Sequence, residues 1–137
     1  MHLKVMKAMR KGAISCDAET SIREVAQIMA VNSTRYCVVT NKAHEVLGVI
    51  SARSILKAFG RDLDHTLARD ILLPHTYTIQ PNSLLTEAIH LMETRKIEHV
   101  IVTSDRPGSK AVLGVLHIED ILSCMLGEEG SKSNASV

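Results

Sequence analysis

Apolar residues recur at helical spacing in Ile22, Val25, Ala26 and Met29, and again 63 positions later in Leu85, Ala88, Ile89 and Met92. Each set predicts an amphipathic helix of about three turns with one buried side. The first opens on Ser21 followed by Glu24, the spacing of a capping box, and Glu24 recurs as Glu87. After each helix comes a β-branched run, Tyr36 to Thr40 and then Ile101-Val102-Thr103, followed by a polar turn and a second run at Val46 to Ile50 and Val112 to Leu116. These are predicted hairpins. Both second strands pass through one glycine, Gly48 or Gly114, turn at a polar residue and open another helix. In the first copy Ser51 is expected to cap that helix, which should bury Ile55, Leu56 and Phe59.

The rest of the chain follows the same duplication. The amphipathic segment Val5 to Met9 is answered by Ala68 to Leu72, and a short extended piece around Ala13-Ile14-Ser15-Cys16 follows Gly12. The second hairpin turn, Asp105 to Lys110, is three residues longer, which shifts the repeat offset to 66. A loop tip is where a repeat tolerates insertion. The expected organisation is one repeat at 3–60, a linker at 61–67, a second repeat at 68–126 and a disordered tail at 127–137. The fold class is α/β (α+β), two pseudo-symmetric repeats, each a small sheet flanked by helices. Repeats of about 60 residues are small to bury their own faces. They should pack as one domain whose strand-to-helix junctions face a shared groove. Free backbone N–H groups and the positive helix end at such a junction suit an anionic or polyhydroxylated ligand.

Composition narrows the chemistry. With 137 residues, 45% apolar and 23% charged, the chain is expected to be a soluble, cytoplasmic protein. Its longest apolar runs fall far short of the roughly 20 residues that span a bilayer, and the N-terminus lacks a signal-peptide core, so no membrane role is expected. A net charge of +1 and only three aromatic side chains argue against nucleic acid as a partner. Cys16, Cys37 and Cys124 are too widely spaced for a disulfide framework or zinc knuckle and read as buried thiols. His75, His99 and His117 lack the helical i, i+4 spacing of a metal pair, so no metal is expected. Met6, Met9, Met29 and Met92 read as core or dimer-face residues. No nucleophile elbow, phosphate loop or zinc-protease motif is present, so the chain is expected not to be an enzyme and to need no cofactor.

The order of elements, duplicated within about 130 residues and ending each time in glycine, two hydrophobic residues, a polar residue and a second polar position three further on, resembles a pair of cystathionine-β-synthase (CBS) domains, or Bateman module. The quoted residues are Gly48-Val49-Ile50-Ser51-Ala52-Arg53-Ser54 and Gly114-Val115-Leu116-His117-Ile118-Glu119-Asp120. The resemblance implies a non-catalytic regulatory module. It would bind AMP, ADP, ATP or S-adenosylmethionine in clefts between the repeats, form a homodimer and act on an effector protein.

In that family the Ser/Thr and Asp after the last strand hydrogen-bond the ribose hydroxyls. Here each site departs from the pair: Asp120 is preceded by His117 in place of Ser/Thr, and Ser51 is followed by Ser54 in place of Asp. A carboxylate is the stronger acceptor, so the Asp120 cleft ranks first. The resemblance implies Gly12, Ala13 and Ile14 near the base, Thr34, Arg35 and Tyr36 at the strand entry, and His99 toward phosphates. The second cleft would hold Ser51 and Ser54 with Thr76, Tyr77, Ile97 and Glu98, and with Arg35 or Arg53 as the positive charge. Other readings stand beside these. Asp120 could serve only its helix dipole, Ser51 only as an N-cap, Ser54 as a surface residue, and Tyr36 and Tyr77 as core residues with bonded hydroxyls. The alternative function is a ligand-free dimerisation or docking module. Its dimer faces would be Val5 to Met9 and the helices ending at Phe59 and Met125.

Overall fold

The repeated apolar patterns fold into helices and the β-branched runs into hairpins. A computed structural model describes residues 2–73 and 76–127. Along the chain these form α1 (Val5–Ala8), β1 (Arg10–Lys11), β2 (Ser15–Asp17), α2 (Ile22–Val31), β3 (Tyr36–Thr40), β4 (Val46–Ser51) and α3 (Ala52–Ile55) with a 3-10 turn at Leu56–Ala58. Then come α4 (Ala68–Ile71), β5 (Thr78–Ile79), α5 (Leu85–Arg95), β6 (His99–Thr103), β7 (Val112–His117) and α6 (Ile118–Met125). The expected tail beyond Gly127 and the metal candidate His75 lie outside the described residues. Among the described residues no helix is long and apolar enough to cross a membrane.

Residues 14–76 make one unit, and residues 2–13 with 77–127 make the other. The sequence repeats and the units therefore cut the chain differently, because each unit takes the short helix that opens the other repeat. A four-residue helix cannot stand alone; its place is set by what it buries. In the second unit the sheet order is β1-β7-β6-β5. There α1 inserts Val5, Ala8 and Met9 into a core with Leu85, Ala88, Met92, Val100, Val102, Leu116 and Ile121. The Val5 N–H also donates to the Ser83 carbonyl at 2.9 Å, and the Leu85 N–H to Leu3 at 2.7 Å. The apolar side of Val5 to Met9 is thus consumed inside its own unit and is not a dimer face; only Met6 in that stretch is exposed among the apolar residues.

The first unit has the sheet order β2-β3-β4. Its α4 contributes Ala68 and Ile71 to a core with Ile22, Val25, Met29, Cys37, Val39 and Ile50. The polar stretch before α4 is fastened to α2: the Ile22 N–H donates to the Thr66 carbonyl, and Arg23 Nε pairs with Asp64 at 2.6 Å. Ser21 caps α2 as expected, its Oγ accepting from the Glu24 N–H at 3.2 Å. Two expectations fail after Ser51. The chain tightens into a three-residue turn that aims Ala58 inward, so Leu56 and Phe59 are 71% and 93% exposed. Cys37 is buried, whereas Cys16 and Cys124 are only half-buried.

Candidate functional site

In the second unit, β6 and β7 pair antiparallel with His99 opposite His117, and α6 begins at the next residue. The Ile118 N–H donates to the Glu98 carbonyl at 2.9 Å, which fixes where the helix leaves the sheet. Asp120 stands at the third helical position. Its Oδ2 accepts from the His117 N–H at 2.9 Å, the reciprocal half of a capping box. Its Oδ1 accepts from Arg10 Nε at 3.0 Å. The side chain of Asp120 is 6% exposed and that of Arg10 is 29% exposed. Both carboxylate oxygens, expected to face a ribose, thus have protein partners in this structure, one of them a charge-assisted bond.

Arg10 reaches Asp120 because β1 lies antiparallel on β7, with Arg10 opposite Val115 and Lys11 opposite Gly114, continued by the Gly12 N–H donating to the Leu113 carbonyl at 2.9 Å. The strap is possible only over a glycine. A Cβ at residue 114 would run into the Arg10 carbonyl oxygen, closer than side-chain atoms approach backbone. Arg10 was absent from the residues selected on sequence, since 110 positions separate it from Asp120. A signal was nonetheless available: the residue 63 positions on is Leu73, so the repeat places a charge opposite an apolar residue.

The first unit has the same frame without the charges. Leu73 crosses β4 at Val49, and a Cβ at Gly48 would come within 2.6 Å of its carbonyl oxygen. Tyr36 lies opposite Ser51, and the Ala52 N–H donates to the Arg35 carbonyl at 2.7 Å. Ser51 Oγ accepts from the Ser54 N–H at 3.0 Å, and the two hydroxyl oxygens lie 2.9 Å apart. Ser54 is 3% exposed, so it is no helix-surface residue; this hydroxyl pair closes on itself. Arg53 and Arg35 are exposed. Ile14 and Tyr36 are buried and Thr34 is half-buried in this same unit. Thr76 Oγ1 donates to the Leu73 carbonyl at 3.4 Å.

Gly12 and Ala13 end the N-terminal strap, half-buried, with Gly12 at φ +77°. Ile97 is half-buried and Glu98 exposed in the second unit. Tyr77 is no core residue: it is 38% exposed, and the Arg95 guanidinium sits 5.2 Å over its ring. Among the described residues no group of three or more His, Cys, Asp or Glu side chains converges on a metal position.

The rings of His99 and His117 are 6.3 Å apart. Burial pushes the His99 imidazole below its ordinary value against the pull of Glu98. At His117 burial acts first and Arg10 second, in the same direction, with Asp120 opposing. A histidine whose folded value is lowered keeps its stability contribution above the unfolded value and loses it as pH falls toward the folded one. The melting temperature should therefore drop between about pH 6.5 and more acid pH, and a His99→Gln, His117→Gln double variant should show a shallower drop. Identical pH profiles for the two proteins would contradict this.

The model of the CBS domain family matches residues 5–61 and 68–127. An uncharacterized protein of Methanopyrus kandleri, MK0525, is 24% identical over 123 residues, covering 88% of this chain; the chain spans only 61% of that relative's length. Among solved structures, the CBS domain pair of protein MJ0100, in complex with 5′-methylthioadenosine and S-adenosyl-L-methionine, superposes with a TM-score of 0.79 at 20% identity, covering 93% of this chain and 98% of its own. The CBS domain of a bacterial CNNM/CorC family Mg2+ transporter, in complex with ATP, gives 0.79 at 18% identity, with 91% and 88% covered. At such identities the likeness is one of fold.

Proposed function

The chain belongs to the CBS domain family, and from that premise we propose that it is a non-catalytic regulatory module that senses an adenosine compound at the Asp120 junction. The observation that carries the reading is the buried Asp120 carboxylate, set by α6 beside His117 and reached by Arg10. A carboxylate can accept from two adjacent hydroxyls when its present partners give way. AMP, ADP, ATP and S-adenosylmethionine are the candidate ligands, and fold neighbours in complex with S-adenosyl-L-methionine and with ATP support that class. Gly12 and Ala13, which end the strap, and His99, opposite His117, are the proposed neighbours of the ligand within this unit. The Ser51–Ser54 junction is proposed as the weaker site, because its hydroxyls already satisfy each other.

A thermal-shift series with these four compounds, GTP and NADH tests the reading. A ligand specific to the folded state stabilises by about 2.7 kcal/mol at a hundredfold excess over Kd, on the order of ten degrees in a domain of this size. The expected result is a rise with adenosine compounds and none with GTP. No rise with any compound would favour the docking module instead.

That second reading has its own observation. Ile118, Leu122 and Met125 are exposed at helical spacing along α6, Leu126 is exposed just after it, and Leu56 and Phe59 are exposed after α3. Such apolar stripes mark contact surfaces. A homodimer through them is compatible with either reading, and a strict monomer in sedimentation at micromolar concentration would remove it.

A further inference from the structure

The Arg10–Asp120 pair bears on which adenosine compounds this site accepts, an inference that rests on the function proposed above. Asp120 is almost fully buried, and its carboxylate is balanced by a guanidinium that cannot lose its proton. Among the described residues the bond to Asp120 is the only hydrogen bond that the Arg10 side chain makes, through Nε, so its terminal N–H donors remain available. Arg10 is also the more exposed member of the pair, and so open to a bound molecule.

Consider what a ribose does on reaching Asp120. Its hydroxyls compete with Arg10 for the carboxylate, and an uncharged nucleoside that displaces Arg10 leaves a half-buried cation without an anion. Separating the pair in that way is unfavourable, though less so than for a fully buried pair because Arg10 keeps contact with water. A sulfonium compound adds a second cation to the same neighbourhood. A phosphate removes the difficulty, because guanidinium and phosphate match in charge and in the spacing of donors and acceptors.

We propose that Arg10 is the partner-exchange group of the site: the ribose diol takes Asp120, Arg10 turns to the phosphate, and the site thereby selects phosphorylated adenosines over adenosine and over S-adenosylmethionine. The exchange also removes the hydrogen-bonded ion pair that ties the N-terminal strap β1 to α6. Ligand occupancy is thus coupled to the hold on the N-terminal strand, which is a route by which binding can be passed on. The first unit has Leu73 at the corresponding position and carries no such group.

The test is calorimetric titration of the full chain with AMP, adenosine and S-adenosylmethionine, repeated on Arg10→Gln and on Arg10→Lys. Wild type should bind AMP about tenfold or more tightly than either other compound, the scale of one charge-assisted hydrogen bond. Arg10→Gln should bring the AMP-to-adenosine ratio to within about threefold of one, and Arg10→Lys, which keeps the charge without the donor fork, should give a ratio between those of wild type and Arg10→Gln. The wild-type comparison needs no variant and holds even if Arg10→Gln folds poorly. Adenosine or S-adenosylmethionine binding as tightly as AMP, or an unchanged ratio in Arg10→Gln, would overturn the selectivity while leaving the proposed function in place. Binding by none of the three, nor by ADP or ATP in the same titration, would overturn both.

Discussion

Gly114→Ala is expected to destabilise the unit built from residues 2–13 and 77–127 by about 3 kcal/mol, the upper range for forcing atoms into a filled site. The added methyl meets the Arg10 carbonyl oxygen, which is backbone and cannot swing away as a side-chain end would. Relief requires β1 to lift from β7. Lifting it sacrifices the Arg10–Val115 and Lys11–Gly114 pairing and the Gly12 bond to Leu113, and carries Arg10 away from Asp120. The melting temperature should fall by roughly 10 °C, and amide protection should be lost first around Lys11 and Gly12. Gly48→Ala meets Leu73 in the other unit and should cost less, since its two closest approaches are 2.6 Å to a carbonyl oxygen and 2.7 Å to a side-chain carbon of Leu72 that can move. Equal and negligible losses at both glycines would contradict the strap as the reason for either.

Asp120→Ala carries the second large effect. Removing one member of a buried pair strands the other; for a fully buried pair the cost is about 3–5 kcal/mol. Arg10 retains contact with water, so about 2–3 kcal/mol is expected here, including the lost capping bond to the His117 N–H. A double variant lacking both Arg10 and Asp120 should recover part of that loss, because no stranded charge remains. Strict additivity of the two single changes in chemical denaturation would show that the pair does not couple. For binding measurements Asp120→Asn is the better variant, as its amide oxygen can still accept from the His117 N–H while the charge is gone.

The repeated helices and hairpins were legible because periodicity survives duplication: Ile22, Val25 and Met29 and their counterparts Leu85, Ala88 and Met92 are buried in equivalent helices. Tertiary choice was less legible. The amphipathic pattern of Val5 to Met9 shows an apolar face, but nothing local says that this face joins the strands of the second repeat instead of a second molecule. Leu56 and Phe59 look buried at 3.6 residues per turn and become exposed at three. Ser54 misled in the opposite sense, for a serine in the first turn of a helix usually faces water, and here the neighbouring Ser51 hydroxyl satisfies it out of water. At the site the sequence pointed to Asp120 and His117, which the structure places together, and missed Arg10. An ion pair leaves no mark in periodicity; comparing the two copies residue by residue and finding Arg10 set against Leu73 would have raised the question.

The most direct measurement is calorimetric titration of the wild-type chain with AMP and with 2′-deoxy-AMP, alongside AMP with Asp120→Asn. If Asp120 receives the ribose diol, AMP binds, and either loss of the 2′-hydroxyl or loss of the charge weakens binding about tenfold or more, the scale of a hydrogen bond to an ionised group. AMP and its deoxy analogue binding alike, with Asp120→Asn as tight as wild type, would place any adenosine site elsewhere and leave Asp120 as the cap of α6 and the anchor of Arg10.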